Sequence, residues 1–156
     1  PVLEKPPGEK TWLQTEIENA IEIGRDILNL QDWTIAYLVK AEPLDNSLGE
    51  GHVDFFVQNL CIIASENFLE MIKTNPISIF FKSDTEAVQF MVWHEMCHLL
   101  ALPYDGDLME KLKDSEILPP QTQKEYLDLF SLTQEQLINR FVKCLILIQR
   151  RIHNAE

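Results

Sequence analysis

Basic residues are scarce. The 13 Lys and Arg stand against 25 Asp and Glu, a formal net charge of −12. A protein that grips a phosphate backbone needs a cationic surface that displaces counterions. Nucleic acid is therefore not an expected partner. The one basic cluster, Arg140, Lys143, Arg150 and Arg151, lies on the last helical stretch, where cations simply suit a helix C-terminus. Long apolar runs are also missing. No eighteen consecutive apolar residues occur, so no membrane span is expected. The opening PVLEKPPGEK has no basic n-region and no apolar h-region, and residues 1–10 read as a polar tail, not a signal peptide. Cys61, Cys97 and Cys144 are odd in number, far apart, and contain no CxxC. Each sits in an apolar run, which suits reduced core cysteines in a cytoplasmic protein better than a zinc knuckle or a disulfide framework.

What is present is an ordinary globular composition, 46% hydrophobic and 24% charged, with no internal repeat and no linker. Residues 11–156 read as one domain with one core. In residues 11–30, Leu13, Ile17, Ile21, Gly24 and Leu28 recur at helical spacing, and Thr11 with Gln14 matches a capping box. Alternation in WTIAYLVK, 33–40, predicts a strand. HVDFFV and LCIIAS predict two further short strands, joined through Gln58-Asn59. Residues 66–74 predict a short helix. Ser83 and Glu86 form a second capping box, and the helix it opens is expected to stop at Pro103. Ser131 or Thr133 is expected to cap a last helix. Ile138, Phe141, Val142, Leu145 and Ile148 form its apolar stripe.

The chemistry is concentrated in MVWHEMCHLLALPYDGD, 91–107. His94 and His98 lie one helical turn apart with Glu95 between them, the HExxH pattern of a zinc helix. A hydrolytic zinc takes three protein ligands and leaves a position for water. Two imidazoles come from one helix face, and Glu95 lies beside them as general base and then acid. Apolar flanks strengthen this reading. Two histidines and a glutamate inside an apolar helix are costly to bury unless something satisfies them, and Zn2+ does so.

The third ligand is less direct. A metzincin continuation needs Gly at 101 and His or Asp at 104, where the chain has Ala101 and Tyr104. Asp105 and Asp107 follow the zinc helix, within a sequence that also suits a polar turn. Glu125 and Glu135 lie further on. Glu135 is preferred because it stands at the start of the last helix beside its apolar stripe, with Asn139 one turn along. Tyr104 and Tyr126 are candidate oxyanion donors that are more often packing residues.

The strand led by Trp33, the hairpin, HEMCHLLALPYD and QEQLINRFVKCLIL together resemble the small zincin-like metallopeptidases of bacteria and phages. The last helix is similar to the E-x-x-A-N-x-F-A helix of ImmA/IrrE-type gluzincins. Val142 stands in place of the small Ala of that signature, and LILI replaces its LLMP-like end. The resemblance covers roughly residues 11–150, with HExxH its one specific motif. It implies zinc on His94, His98 and Glu135, with Glu95 catalytic, and Ile138, Asn139 and Phe141 filling the second signature. SprT-like proteases are similar in the first half, but they require a downstream histidine, and none occurs between His98 and His153.

The expected fold is α/β, of the α+β kind: a zincin-like domain with a small twisted sheet on an N-terminal helix, an HExxH helix and C-terminal helices. The family's edge strand, here within 51–65, would bind an extended peptide by strand addition. The expected function is zinc-dependent hydrolysis of peptide bonds in a peptide or protein substrate. One rival is a structural or regulatory zinc protein whose site is closed by a fourth ligand such as Asp105. Another is a deformylase-like amidohydrolase, which would need an EGCLS and a GxGLAAPQ stretch that the chain lacks.

Overall fold

The computed structural model describes residues 8–45, 47–114 and 119–155, and the side chains of 8–45, 47–100 and 119–155. The fold is mixed α and β: α1 (Trp12–Leu28), β1 (Thr34–Lys40), β2 (Glu50–Asp54), β3 (Asn59–Ser65), α2 (Phe68–Lys73), a 3-10 turn (Pro76–Phe80), α3 (Asp84–Asp114) and α4 (Pro120–Ala155). These form two compact units, one extending to Val92 and one beginning at Trp93.

In the first unit both ends of α1 are set by local chemistry. Thr11 Oγ1 accepts from Gln14 N–H, and Gln14 Oε1 accepts from Thr11 N–H, so the expected capping box is complete. Asn29 closes the helix at φ 54°, in the left-handed region that asparagine tolerates. Arg25 Nη2 then donates to the carbonyl of Trp33 at 3.0 Å, tying the helix end to the start of β1.

The sheet has the order β1-β3-β2, with β1 parallel and β2 antiparallel to β3. Period-two alternation places Ile35, Tyr37 and Val39 level with Leu60, Ile62 and Ala64. The last three are buried. Tyr37 Oη donates to Glu18 Oε1 of α1 at 2.6 Å, so this is the face turned toward α1. β3 is internal, and within the expected peptide-binding region only β2 leaves a strand edge free. That narrows the candidate edge to 50–54.

Phe55, Phe56 and Val57, expected to continue a strand, instead form the hairpin turn. The Asp54 carboxylate accepts from the N–H of Phe56 at 3.0 Å and of Val57 at 3.4 Å, reversing the chain directly after Asp54. Gln58 at φ 53° completes the reversal.

Two expected helix boundaries are also corrected. α3 opens at the Ser83 cap, where Ser83 Oγ accepts from Glu86 N–H, but the Glu86 carboxylate bonds Lys82 N–H, one residue before the cap. Its helical backbone continues through Pro103 to Asp114. Proline's φ is itself helical. Its cost, about 3 kcal/mol in a helix interior, is a lost N–H and a clash one turn back. The helix-forming run LMEKLKD continues the element beyond that point. α4, in turn, is one helix of 36 residues, and Ser131 and Thr133 lie inside it. Thr133 Oγ1 donates back to the Leu129 carbonyl at 2.8 Å instead of capping a new start. The buried stripe of α4 is Ile138, Val142 and Ile146, while Phe141 and Ile148 are exposed. Cysteine placement departs from expectation too: all three are free, but only Cys97 is buried, with Cys144 exposed and Cys61 between.

Among the described residues no helix is long and apolar enough to cross a membrane.

Candidate metal centre

The centre lies within the second unit. Around the motif, α3 buries Trp93, Met96, Cys97 and Leu99. A helix surrounded by apolar side chains can keep a polar residue only where a partner waits. His94 and His98, four residues apart, project from one face. Their ring centroids are 4.9 Å apart at 75°.

α4 supplies the partner. Glu135 Oε2 lies 2.9 Å from His94 Nε2, and Glu135 Oε1 lies 2.9 Å from His98 Nε2. The two Nε2 atoms are 3.2 Å apart. His94, His98 and Glu135 are thereby the one group among the described residues that gathers three candidate ligand atoms. Glu125, the other carboxylate considered on this helix, is exposed and accepts from Gln121 Nε2 at 3.4 Å. Asp105, Asp107 and Tyr104 lie outside the described side chains. Tyr126 stands nine residues before Glu135, on about the opposite side of α4, so it does not join this cluster.

The protonation of the cluster is informative. Asn139 Oδ1, which can only accept, is 2.8 Å from His94 Nδ1, so that nitrogen carries the proton. Burial, foremost, holds the His94 pKa below its ordinary value, with His98 acting in the same direction and Glu135 and Asn139 opposing. A neutral His94 with a proton on Nδ1 turns a bare Nε2 lone pair toward the Glu135 carboxylate. His98 has one Nε2–H to offer at most while neutral, and two acceptors within reach. One proton cannot serve all three contacts, whereas a cation between the three atoms serves them together.

The donor set fits zinc. A tetrahedral ion with bonds of about 2.0–2.1 Å holds its ligand atoms about 3.3 Å apart. The separations here, 2.9 to 3.2 Å, are within a few tenths of an ångström of that. Two imidazole nitrogens and one carboxylate oxygen form a His2Glu set of the kind that leaves a fourth position for water. The side chains of His94 and His98 are 13% and 21% exposed and that of Glu135 is 46% exposed, so the centre opens to solvent on the α4 side.

Glu95 occupies the same turn as His94 and, among the described residues, is buried with Ser65 as a polar side chain. Cys97, also inside the motif, is not a competing ligand: burial pushes its thiol up to about 12, and thiolate is the metal-binding form. His52 pairs loosely with Glu50 on β2, and His153 is exposed near the end of α4. Asn139, expected one turn along from Glu135 and within the second signature, is placed against His94, a contact the sequence did not assign to it. Its signal was its position one turn after Glu135, which puts both on one face of the helix.

No family model, curated protein or solved structure matches the chain.

Proposed function

We propose that the chain is a zinc-dependent peptidase of the gluzincin kind, with His94, His98 and Glu135 as metal ligands and Glu95 as general base. The reading is carried by one observation: three ligand atoms from an HExxH helix and a second helix converge to within 2.9–3.2 Å of one another. Zinc, when bound, supplies Lewis acidity toward water and toward the substrate carbonyl. His94 and His98 would hold it through Nε2, and the Asn139 contact keeps the His94 proton on Nδ1, so that Nε2 is unprotonated. Glu95 takes a proton from the attacking water and delivers it to the departing amine, so the carboxylate is regenerated within one cycle. The partner is a peptide or protein. Three free cysteines favour a reducing, cytoplasmic setting.

Elemental analysis and peptide-library cleavage, run side by side, test the reading. Wild-type protein should hold about one zinc per chain and cut peptides. His94→Ala and His98→Ala should lose the metal, and Glu135→Gln should weaken it. Glu95→Gln should keep zinc and lose turnover by a factor of 10² or more. Bound zinc without any cleavage would favour the rival, a closed regulatory site. Absence of metal from protein refolded in excess zinc would refute both.

A further inference from the structure

The sheet has a second free edge, within the first unit and outside the region expected to bind peptide. β1 lies at the margin of the order β1-β3-β2. Along a strand in a parallel ladder, successive residues turn their backbone groups to alternate sides. Thr34 N–H donates to the Gln58 carbonyl, and the Lys40 carbonyl accepts from Glu66 N–H. Thr34, Ala36, Leu38 and Lys40 therefore face β3. Ile35, Tyr37 and Val39 turn their N–H and C=O groups outward, where no described strand pairs them. Nothing along β1 blunts this edge. TIAYLVK has neither Pro nor Gly, its register against β3 is unbroken, and its one charge, Lys40, stands at the end.

The surroundings of the edge identify the occupant. A groove of about 500 Å³ runs beside it, lined by Glu18, Ile21, Glu22 and Arg25 of α1 and by Ile35, Ala36 and Tyr37 of β1. Helix and strand run in opposite directions, since Glu18 meets Tyr37 and Arg25 meets the carbonyl of Trp33. Glu18 and Glu22 are about 6 Å apart along the helix axis, and alternate residues of a strand are about 6.6 Å apart. The two carboxylates thus keep step with Tyr37 and Ile35, whose backbone groups face outward. Arg25 is committed to the carbonyls of Gln31 and Trp33. Glu22 is exposed and forms no ion pair among the described residues, and the pair of Glu18 with Lys10 is a surface one that a competing cation displaces at little cost. Outward amides require an extended chain, and the two carboxylates require cations at every second residue of it. A second copy fits poorly. β1 paired with its own copy would set Glu18 and Glu22 toward the same residues of the other chain, with −12 on each.

We propose that the free edge of β1 binds an extended basic peptide by strand addition, pairing with Ile35, Tyr37 and Val39 while two alternate Lys or Arg side chains reach Glu18 and Glu22. The aliphatic stems of those side chains lie along Ile21 and Ile35. The inference does not depend on the chemistry of the metal centre.

The test uses the full chain carrying Glu95→Gln, so that the probe stays whole, and a fluorescein-labelled peptide alternating Lys with Val. Anisotropy should show saturable binding that weakens as salt rises and drops about 10-fold in Glu22→Lys, a change at an exposed position. Amide hydrogen exchange followed by NMR should slow at Ile35, Tyr37 and Val39 on binding. Ala36 and Leu38, already bonded to β3, should change little. The same peptide N-methylated throughout keeps its charge but loses its donors, and should not bind. Absence of saturable binding overturns the proposal, as does equal binding of the N-methylated peptide. So does protection that falls on 50–54 instead of β1, which would place the peptide on the other edge. Protection of Ile35, Tyr37 and Val39 that grows with the concentration of the chain alone overturns it too, by naming a second copy as the occupant.

Discussion

At the scale of single residues, Asn139 matters through another side chain. It touches no ligand position itself but holds the proton of His94 on Nδ1. Outer partners of this type tune metal affinity by about 10- to 100-fold. Asn139→Leu should lower zinc affinity by that amount in a chelator competition, and Asn139→Asp, which keeps an acceptor oxygen, should restore most of it. An unchanged affinity in the leucine variant would remove Asn139 from the centre. The second residue-scale case is Tyr37. Burial, and then its hydrogen bond to Glu18, push its pKa up to about 12. A phenol that holds its proton more tightly when folded contributes stability fully present below the ordinary value near 10, and lost as pH rises through about 12. Glu18 is shifted the other way, held below the usual carboxylate range first by Lys10 and then by Tyr37. Its contribution is present above the ordinary value of 4.5 and fades as pH falls through the lowered one. Tyrosinate absorbance in the folded protein should therefore include a component emerging near pH 12, and Tyr37→Phe should remove it.

At the scale of elements, helix starts were legible because caps are local. Thr11 and Gln14 need only each other's backbone and three residues of helix, and the Ser83 hydroxyl needs only the Glu86 N–H. Thr11→Ala should cost about 1 kcal/mol in urea unfolding, with the slope unchanged. A loss below about 0.3 kcal/mol would mean that the Gln14 side of the box is sufficient. Helix continuations were less legible. Thr133 has the same hydroxyl as Thr11, but it bonds the carbonyl behind it instead of the N–H ahead. Sequence offers both options, and the choice follows from whether the preceding turn is already helical. Pro103 poses the same ambiguity for α3. In the hairpin, the hydrophobicity of Phe55, Phe56 and Val57 argued for strand, but the Asp54 carboxylate captured the amides of Phe56 and Val57.

At the scale of the whole molecule, charge dominates. A net charge of −12 attracts cationic peptides and repels acidic ones over distances set by ionic strength. For a peptidase with this surface, kcat/KM for a Lys-rich peptide should exceed that for a Glu-rich one of equal length by about 10-fold or more at low salt. The ratio should fall toward one as salt approaches about 1 M, where screening acts within about 3 Å. A ratio independent of salt would confine specificity to the immediate pocket.

The sequence by itself determined the two histidines on one helix face, because a four-residue interval brings side chains together in any α-helix. It also determined the strand alternation and the capped helix starts, which depend on neighbours a few residues apart. Tertiary structure alone decided that Glu135, 37 residues beyond His98, reaches both imidazoles while Glu125 does not. It also decided that Asn139 bonds His94, and that the apolar residues of α4 divide into a buried stripe and an exposed face. The reason is physical. Periodicity says which residues share a face, but which face meets which partner is set by how two helices pack, and that packing is not encoded in either helix alone.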